Sequence, residues 1–396
     1  MEVPRLQDLS SDELDGHRVL VRVDFNVPLE GGAIADDTRI RAALPTLGHV
    51  LDRGGALVVA SHLGRPKGKV VEELRMRPVA ERLGELLPRH EVRFVPDVAG
   101  DEARAAAWAL EPGQVLVLDN LRFEPGETAN DPEFAAALAK LGQVFVQDAF
   151  GVCHRAHAST VGVPRLLKPA VAGHLLAREV DAFHHALDEP VRPLVAIVGG
   201  AKVSDKILVL ERLLEKVDVV LVGGGMAYTF LKAMGRGIGD SLCEEDRLEV
   251  AREVLEKAAR NGIRFLLPED HVCAREFSAE AEAEVFAGDV PDGWMGLDIG
   301  PTTRERFAEA VRGAGTVVWN GPMGVFEFPK FAAGTLEVAR AVAACPGHTV
   351  VGGGDSVAAL HRTGLTDRIR HVSTGGGAFL ALLEGKELPG LAALRP

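Results

Sequence analysis

Leu194-Val-Ala-Ile-Val-Gly-Gly-Ala-Lys-Val-Ser-Asp-Lys-Ile-Leu-Val-Leu-Glu-Arg-Leu-Leu214, followed closely by Val219-Val-Leu-Val222, decides the fold class. A continuous apolar run ends in two glycines and passes into a stretch whose residues Ile207, Leu210 and Leu214 share one helical face. A second apolar run comes next. Two such strands flanking a helix read as a βαβ unit of a parallel sheet buried on both faces, with a right-handed crossover. The same rhythm extends in both directions. Apolar runs at 19–23, 57–60, 92–95, 115–118 and 144–146 precede it, and runs at 265–267, 317–319, 349–351 and 371–373 follow. Between them lie patterns such as Ile40, Leu44, Leu47, Val50 and Leu51, apolar on one helical side.

The rhythm breaks once. After Val163 come Pro164-Arg-Leu-Leu-Lys-Pro169, a helical stretch at about 173–187, and Asp188-Glu-Pro-Val-Arg-Pro193 before a fresh strand. The expected fold is therefore α/β, with two doubly wound parallel-sheet (Rossmann-like) domains, 1–172 and 173–387, joined by a helix with a cleft between them.

Composition narrows the function. In 396 residues, 44 Lys and Arg stand against 57 Asp and Glu, a net charge of −13, which argues against a nucleic-acid or anionic-membrane binder. No apolar run approaches the ~18 residues of a spanning helix. The opening residues lack the basic-then-apolar order of a secretory signal, so a cytoplasmic protein is expected. Cys153, Cys243, Cys273 and Cys345 are too irregularly spaced for a Cys-x-x-Cys site, and a disulfide framework is not expected.

Polar and glycine-rich clusters fall at the C-terminal ends of the strands, where open parallel sheets bind ligands. The first half presents Asp24 and Asn26, then His62 and Arg65, then Arg122, then His154, Arg155 and His157. Arg39 falls in the first turn of a helix capped by Asp36 or Asp37; a cation there opposes the helix dipole unless an anion sits beside it. A single arginine is as readily a surface ion-pair partner as a ligand group. Four of them, each following or flanking a separate strand in an acidic chain, favour a small phosphate or carboxylate ligand. His154, His157 and Cys153 lack a second pair at zinc spacing, and Arg155 would repel a cation, so no metal is expected there. The histidines are left as hydrogen-bond donors or as a general base.

The second edge is rich in glycine. Lys202 and Lys206, four apart, are expected to open a helix beneath Gly199-Gly200, an arrangement that polyphosphate would neutralise. Gly352-Gly-Gly-Asp355-Ser356 places a carboxylate and a hydroxyl at another helix start, where Asp355 serves as an N-cap or as a magnesium ligand beside phosphates. Gly375-Gly-Gly377 offers a third set of bare N–H groups. Familiar nucleotide motifs do not fit. Gly64-Arg-Pro-Lys-Gly68 is one residue short of a P-loop, and Gly235-Arg-Gly237-Ile-Gly239 follows a helix rather than a strand. A two-domain NAD-dependent dehydrogenase would need a correctly spaced glycine motif with an acidic residue ~20 positions on, which is absent. A two-domain solute-binding protein would need a secretory signal.

Taken in order, Arg22-Val-Asp-Phe-Asn-Val-Pro28, Asp37-Thr-Arg-Ile40, Ser61-His-Leu-Gly-Arg-Pro66, His154-Arg-Ala-His157, Gly199-Gly-Ala-Lys-Val203, Val318-Trp-Asn-Gly-Pro322, Gly352-Gly-Gly-Asp-Ser356 and Ser373-Thr-Gly-Gly-Gly377 resemble the phosphoglycerate kinase family over nearly the whole chain. The resemblance implies reversible transfer of the acyl phosphoryl group of 1,3-bisphosphoglycerate to Mg-ADP, in line, in a closed interdomain cleft. It implies that Asp24, Asn26, His62, Arg65, Arg122 and Arg155 hold phosphoglycerate, and that Arg39 bridges its carboxyl end and the moving phosphoryl. Lys202, Lys206 and Gly376 would contact that phosphoryl. Lys206, Gly353, Gly354 and Ser356 would line the nucleotide phosphates, Asp355 would bind Mg2+, Glu327 the ribose, and Gly223–Gly225, Gly296 and Leu297 the adenine. A tail at 388–396 would return to the first domain. The partners are then small molecules alone, and a monomer is expected. The chain departs from the family pattern at three places: Val152-Cys153, Asp119 and Gln147.

Overall fold

The computed structural model describes residues 3–395. It divides into two compact units, Met1–Val180 with Glu387–Pro396, and Asp181–Lys386. The division falls inside the helix His174–Leu187 rather than at its start. The last residue of the expected tail, 396, lies outside the described residues.

The first unit is built on six parallel strands: β1 (Arg18–Arg22), β2 (Ala56–Ala60), β3 (Val92–Phe94), β4 (Val115–Val117), β5 (Val144–Gln147) and β6 (Ala170–Ala172), in the order β3-β4-β2-β1-β5-β6. Leu20 of β1 faces Val58 of β2 on one side and Phe145 of β5 on the other. Both faces are covered, which is why the central strands read as unbroken apolar runs. Helix α1 (Thr38–Leu51) buries Ile40, Ala43, Leu47, Val50 and Leu51 in the same core as Val19, Val21 and Val59. Each of the larger of these side chains, Ile40, Leu47, Val50 and Leu51, contributes roughly 1.5–3 kcal/mol on burial. Helix α2 (Arg77–Leu86) adds Val79, Ala80 and Leu83 to that core.

The second unit repeats the plan with β7 (Leu194–Val198), β8 (Val219–Val222), β9 (Arg264–Leu266), β13 (Thr316–Asn320), β14 (His348–Gly352) and β15 (His371–Val372), in the order β9-β8-β7-β13-β14-β15. All eleven expected strands are present. Between β9 and β13 the chain adds an antiparallel sheet of β10 (Asp270–Ala274), β11 (Glu284–Ala287) and β12 (Met295–Ile299), which the apolar-run reading does not anticipate. Asp270, His271, Asp298 and Gly296 interrupt its strands, so no continuous run marks them. The strand β6 is missed for a different reason, since Ala170-Val-Ala172 carries little apolar bulk and follows directly on the Pro-rich break.

Helix α3 (His174–Leu187) begins where Asp148 receives the amides of Leu175 (2.9 Å) and Leu176 (3.2 Å). The chain end closes the first unit. Gly390, in the short helix Pro389–Ala392, donates to the carbonyl of Cys153 at 2.9 Å, and Leu388, Leu391 and Leu394 are buried.

Candidate active site

In the first unit the residues expected at the ligand follow four contiguous strands, β4-β2-β1-β5. Hydrogen bonds draw those strand ends together. The amide of Phe25 donates to Ser61 Oγ at 2.9 Å. Asn26 Oδ1 accepts from the amide of Gly64 (2.8 Å), whose carbonyl accepts from Arg122 Nη1 (2.8 Å). Asn120 caps the turn bearing Arg122 by accepting its amide at 3.0 Å, and donates to the carbonyls of Leu63 and Leu74. The loops after β1, β2 and β4 therefore form one bonded surface.

Arg39 lies in the first turn of α1 and donates to Asp24 Oδ2 at 2.7 Å, with its side chain 39% exposed. Asp36 holds that turn by accepting the amide of Thr38 (2.8 Å). Asp37 does not cap it with its side chain; it receives Arg41 (2.8 Å) and Arg82 (2.7 Å) instead, tying α1 to α2. Arg65 and Arg155 are exposed, and Arg155 Nε donates to His154 Nε2 at 3.1 Å.

Behind this surface lies a buried layer in which motif residues Arg22, His62 and His157 meet Ser159 and Glu127, which no motif contains. Arg22, 1% exposed, donates from Nε to Ser159 Oγ (2.8 Å) and from Nη1 to the carbonyl of Val23, with Nη2 3.2 Å from His62 Nδ1. Ser159 Oγ in turn donates to the fully buried Glu127 at 2.6 Å, and His157 Nδ1 lies 3.7 Å from the same carboxylate. The cations crowd one another. Burial, aided by Arg22 and Arg155, lowers Arg122 to about 10. Burial, with Arg22, Arg122 and Arg155, lowers His157 to about 4, and His62 is held well below the ordinary histidine value by burial and then Arg22, Arg122 and Arg39. These histidines are neutral at pH 7. So much positive charge with only Asp24 and Glu127 inside it is relieved by an anion.

Two of the three departures from the family pattern are accommodated locally, at Asp119 and at Val152-Cys153. Asp119 accepts from Arg75 (2.5 Å) and from the amide of Met76 (3.0 Å). Val152 and Cys153 are buried, and the Cys153 carbonyl receives the tail. Gln147 Nε2 is buried without a partner. All four cysteines are unbridged.

In the second unit, Lys206, Gly353, Gly354, Asp355, Ser356 and Gly376 line one cavity of about 330 Å³, with Asn320, Gly321, Gly377 and Leu380 completing its wall. Two helices start at its edge, α5 (Gly354–Thr363) and α6 (Gly376–Leu383), and both aim free N–H groups toward it. Gly353 begins α5 at φ 95°, where a Cβ would stand 2.6 Å from Asn320 Nδ2. Lys206 Nζ donates to Asn320 Oδ1, and Asn320 Nδ2 donates to the carbonyl of Gly352 at 2.9 Å. Burial lowers the Lys206 ammonium against the opposing pull of Asp205, Asp355 and Glu384.

The helix expected to open with Lys202 is shorter than its apolar pattern. Helix α4 (Ile207–Leu213) begins after Lys206, and the exposed Lys202 lies in the preceding turn, outside the cavity. Ser204 explains the delay: its amide (2.9 Å) and hydroxyl (2.6 Å) both donate to Glu244, which holds the turn out of helical register. Gly223 and Gly224 sit against Met323 and Gly200, the Gly224 amide donating to the Met323 carbonyl at 2.9 Å. Leu297 joins the same neighbourhood through its carbonyl, which accepts from Val325 at 2.8 Å. Gly296 is bare because a Cβ there would meet Tyr228 Oη at 1.8 Å. Glu327 is exposed in the turn beyond and does not line the cavity.

A larger cavity of about 640 Å³ lies in the first unit beside Asp36, Asp37, Arg41 and Arg82. It contains none of the expected ligand residues, and Asp37 already pairs its two arginines.

Known proteins resemble this chain in sequence and in fold. The model of the family described as phosphoglycerate kinase matches residues 6–386. Phosphoglycerate kinases of Roseiflexus sp. (strain RS-1) and Moorella thermoacetica are each 59% identical, over 381 and 390 residues, covering 96% and 98% of both chains compared. The solved phosphoglycerate kinase of Coxiella burnetii superposes with a TM-score of 0.92 at 45% identity over 99% of each chain, and that of Pyrococcus horikoshii with 0.82 at 33% over 98%. On this footing the chain belongs to the phosphoglycerate kinase family.

Proposed function

We propose that the arginine-rich edge of the first unit holds phosphoglycerate and the glycine-lined cavity of the second holds the nucleotide. The reaction is that of the family: a phosphotransferase of glycolysis that moves the acyl phosphoryl group of 1,3-bisphosphoglycerate to ADP and back. The reading rests above all on one observation, the convergence of guanidinium groups and neutral histidines at four adjacent strand ends.

Asp24, Asn26, His62, Arg65, Arg122 and Arg155 bind the phosphoglycerate, with Arg122 and Arg155 suited to bidentate contact with its phosphate. Arg39 leaves Asp24 to bridge the acyl end. Lys206, Gly353, Gly354 and Ser356 receive the nucleotide phosphates, Lys202 swings in from its turn, and the α6 N-terminus at Gly376 donates to the moving phosphoryl. Gly223, Gly224, Gly296 and Leu297 flank the base, and Glu327 takes the ribose.

Asp355 would hold Mg2+. It is exposed at the start of α5, and among the described residues no group of three or more His, Cys, Asp or Glu is placed to cage a metal. One carboxylate completed by phosphate and water oxygens is the set this ion favours. When bound, the ion neutralises phosphate charge. Asp355 orients it, Lys206 and the helix N-termini balance the remaining charge, and no covalent enzyme intermediate is needed.

The two ligands bind separate units, and transfer needs reacting atoms ~3–3.5 Å apart with water excluded. Turnover therefore passes through a closed state in which they meet. Each half-site is complete within one chain, consistent with a monomer, and four unbridged cysteines suit the cytoplasm. No described helix is long and apolar enough to cross a membrane. The test is a coupled assay: purified protein should form ATP from 1,3-bisphosphoglycerate and ADP only with Mg2+ present. Failure to form ATP would refute the assignment.

A further inference from the structure

We infer that Arg22 is a positioning residue that fixes His62 as the neutral tautomer with its proton on Nε2, making it a hydrogen-bond donor toward phosphoglycerate. The argument is one of donors and acceptors. Every guanidinium nitrogen donates and none accepts. Arg22 Nη2 lies 3.2 Å from His62 Nδ1, so Nδ1 supplies the lone pair and cannot carry the proton. The neutral ring must then carry it on Nε2.

The rest of the layer leaves Arg22 no freedom to turn away. Its Nε is bound to Ser159 Oγ and its Nη1 to the Val23 carbonyl. The serine's single proton goes to Glu127, so its oxygen is free to accept from Arg22. A directed chain results, from Arg22 through Ser159 to the Glu127 carboxylate, with its cationic end against the histidine ring. The charged groups facing His62 are Arg22 from β1, Asp24 beyond it, Arg39 from α1 and Arg122 from the turn after β4, with the titratable but neutral His157 beside them. Only Asp24 favours the imidazolium, and its Oδ1 is 3.9 Å from Nδ1, beyond hydrogen-bond reach. The chemical result is selective. A donor that stays neutral binds an anionic oxygen without adding to the cationic crowding, and its strength does not change with pH around neutrality.

This deepens the reading that His62 meets phosphoglycerate, and the experiment separates the two. Long-range 1H–15N NMR of the full-length protein, with the His62 signals assigned by their loss in His62→Gln, reports protonation at each ring nitrogen. The expected result is an unprotonated Nδ1 and a protonated Nε2, without titration between about pH 5.5 and 8. In Arg22→Met the ring loses the donor that fixes its tautomer, so part of the protein should carry the proton on Nδ1, and Arg22→Lys should restore the unprotonated Nδ1 in part. The wild-type spectrum is decisive even if a variant fails to fold. A proton on Nδ1 in the wild-type protein overturns the inference, as does a tautomer unchanged in a folded Arg22→Met. Adding 3-phosphoglycerate should shift the Nε2–H resonance. An Nε2–H signal that ignores the ligand would remove His62 from the binding surface, and with it the functional half of the proposal.

Discussion

Replacing Asn320 tests the nucleotide half-site most sharply, because two substitutions there are expected to rank against intuition. Asn320 Oδ1 accepts from Lys206 while its Nδ2 holds the Gly352 carbonyl, so the side chain fixes both the lysine and the strand end leading into Gly353. Asn320→Ala leaves Lys206 without that acceptor and the carbonyl without its donor. At about 1–2 kcal/mol for positioning lost, the affinity for Mg-ADP should fall roughly 5–30-fold. Asn320→Asp keeps an acceptor for Lys206 and would rank higher if holding the lysine were all that mattered. Its charge, however, would lie roughly 5 Å from a phosphate on the far side of the ammonium. At an effective dielectric of about 20 the repulsion is about 3 kcal/mol, or roughly 150-fold in affinity. Titration calorimetry should give wild type above Ala and Ala above Asp for Mg-ADP, with 3-phosphoglycerate binding unchanged in both. An aspartate variant that binds Mg-ADP as tightly as the alanine variant would show that the phosphates do not approach Lys206 in this cavity.

Other expectations follow from the first unit. Arg39→Ala should lower kcat by ~10²–10³ with a smaller effect on substrate binding, because Arg39 is needed where charge develops; near-normal turnover would rule out that role. Arg122→Ala should raise the dissociation constant of 3-phosphoglycerate by ~10–10² while leaving ADP binding intact, and Arg122→Lys should restore little of it. Equal weakening of both ligands would contradict a divided site. Asp148 supplies a pH signature. Burial raises it to about 6 from 3.8 despite the Thr46 hydroxyl and the Leu176 and Leu175 amides. The folded protein keeps this proton where the unfolded chain has lost it, so the contribution to stability is full below about pH 4. It then declines as pH rises through 6, by at most about 3 kcal/mol. Asp148→Asn should flatten the pH dependence of urea unfolding over that window, and an unchanged slope would place the titration elsewhere.

What the sequence revealed and what it hid have distinct physical causes. Strands such as Val19–Val21 and Leu194–Val198 were legible because a parallel sheet covered on both faces demands unbroken apolar runs. The antiparallel sheet at Asp270–Ile299 was not, since its strands carry Asp270, His271 and Asp298 in buried positions paid for by local bonds, such as Asp298 to the Gly334 amide at 2.7 Å. The arginines proposed to face the ligand stand out as charges after apolar runs. Arg22 and Glu127 did not, because a buried ion is recognised by its partners, Ser159 and His62, which are far away in sequence. The start of α4 was misplaced for the same reason: Glu244, forty residues on, decides where Ser204 lets the helix begin.

The tail has a consequence for how the chain is made. The second unit is a continuous stretch, Asp181–Lys386, and can close its core as soon as that stretch has left the ribosome. The first unit, though synthesised earlier, lacks one of its packed segments until the stretch around Gly390 arrives, because Gly390 and the buried leucines beside it dock on the segment at Cys153. The fit leaves no slack: a Cβ at Gly390 would stand 2.9 Å from Cys153 Cα. Arg155 is two residues further along. The unit begun first is therefore completed only after the second has been made, and the loop that carries Arg155 gains its support only with the segment around Gly390.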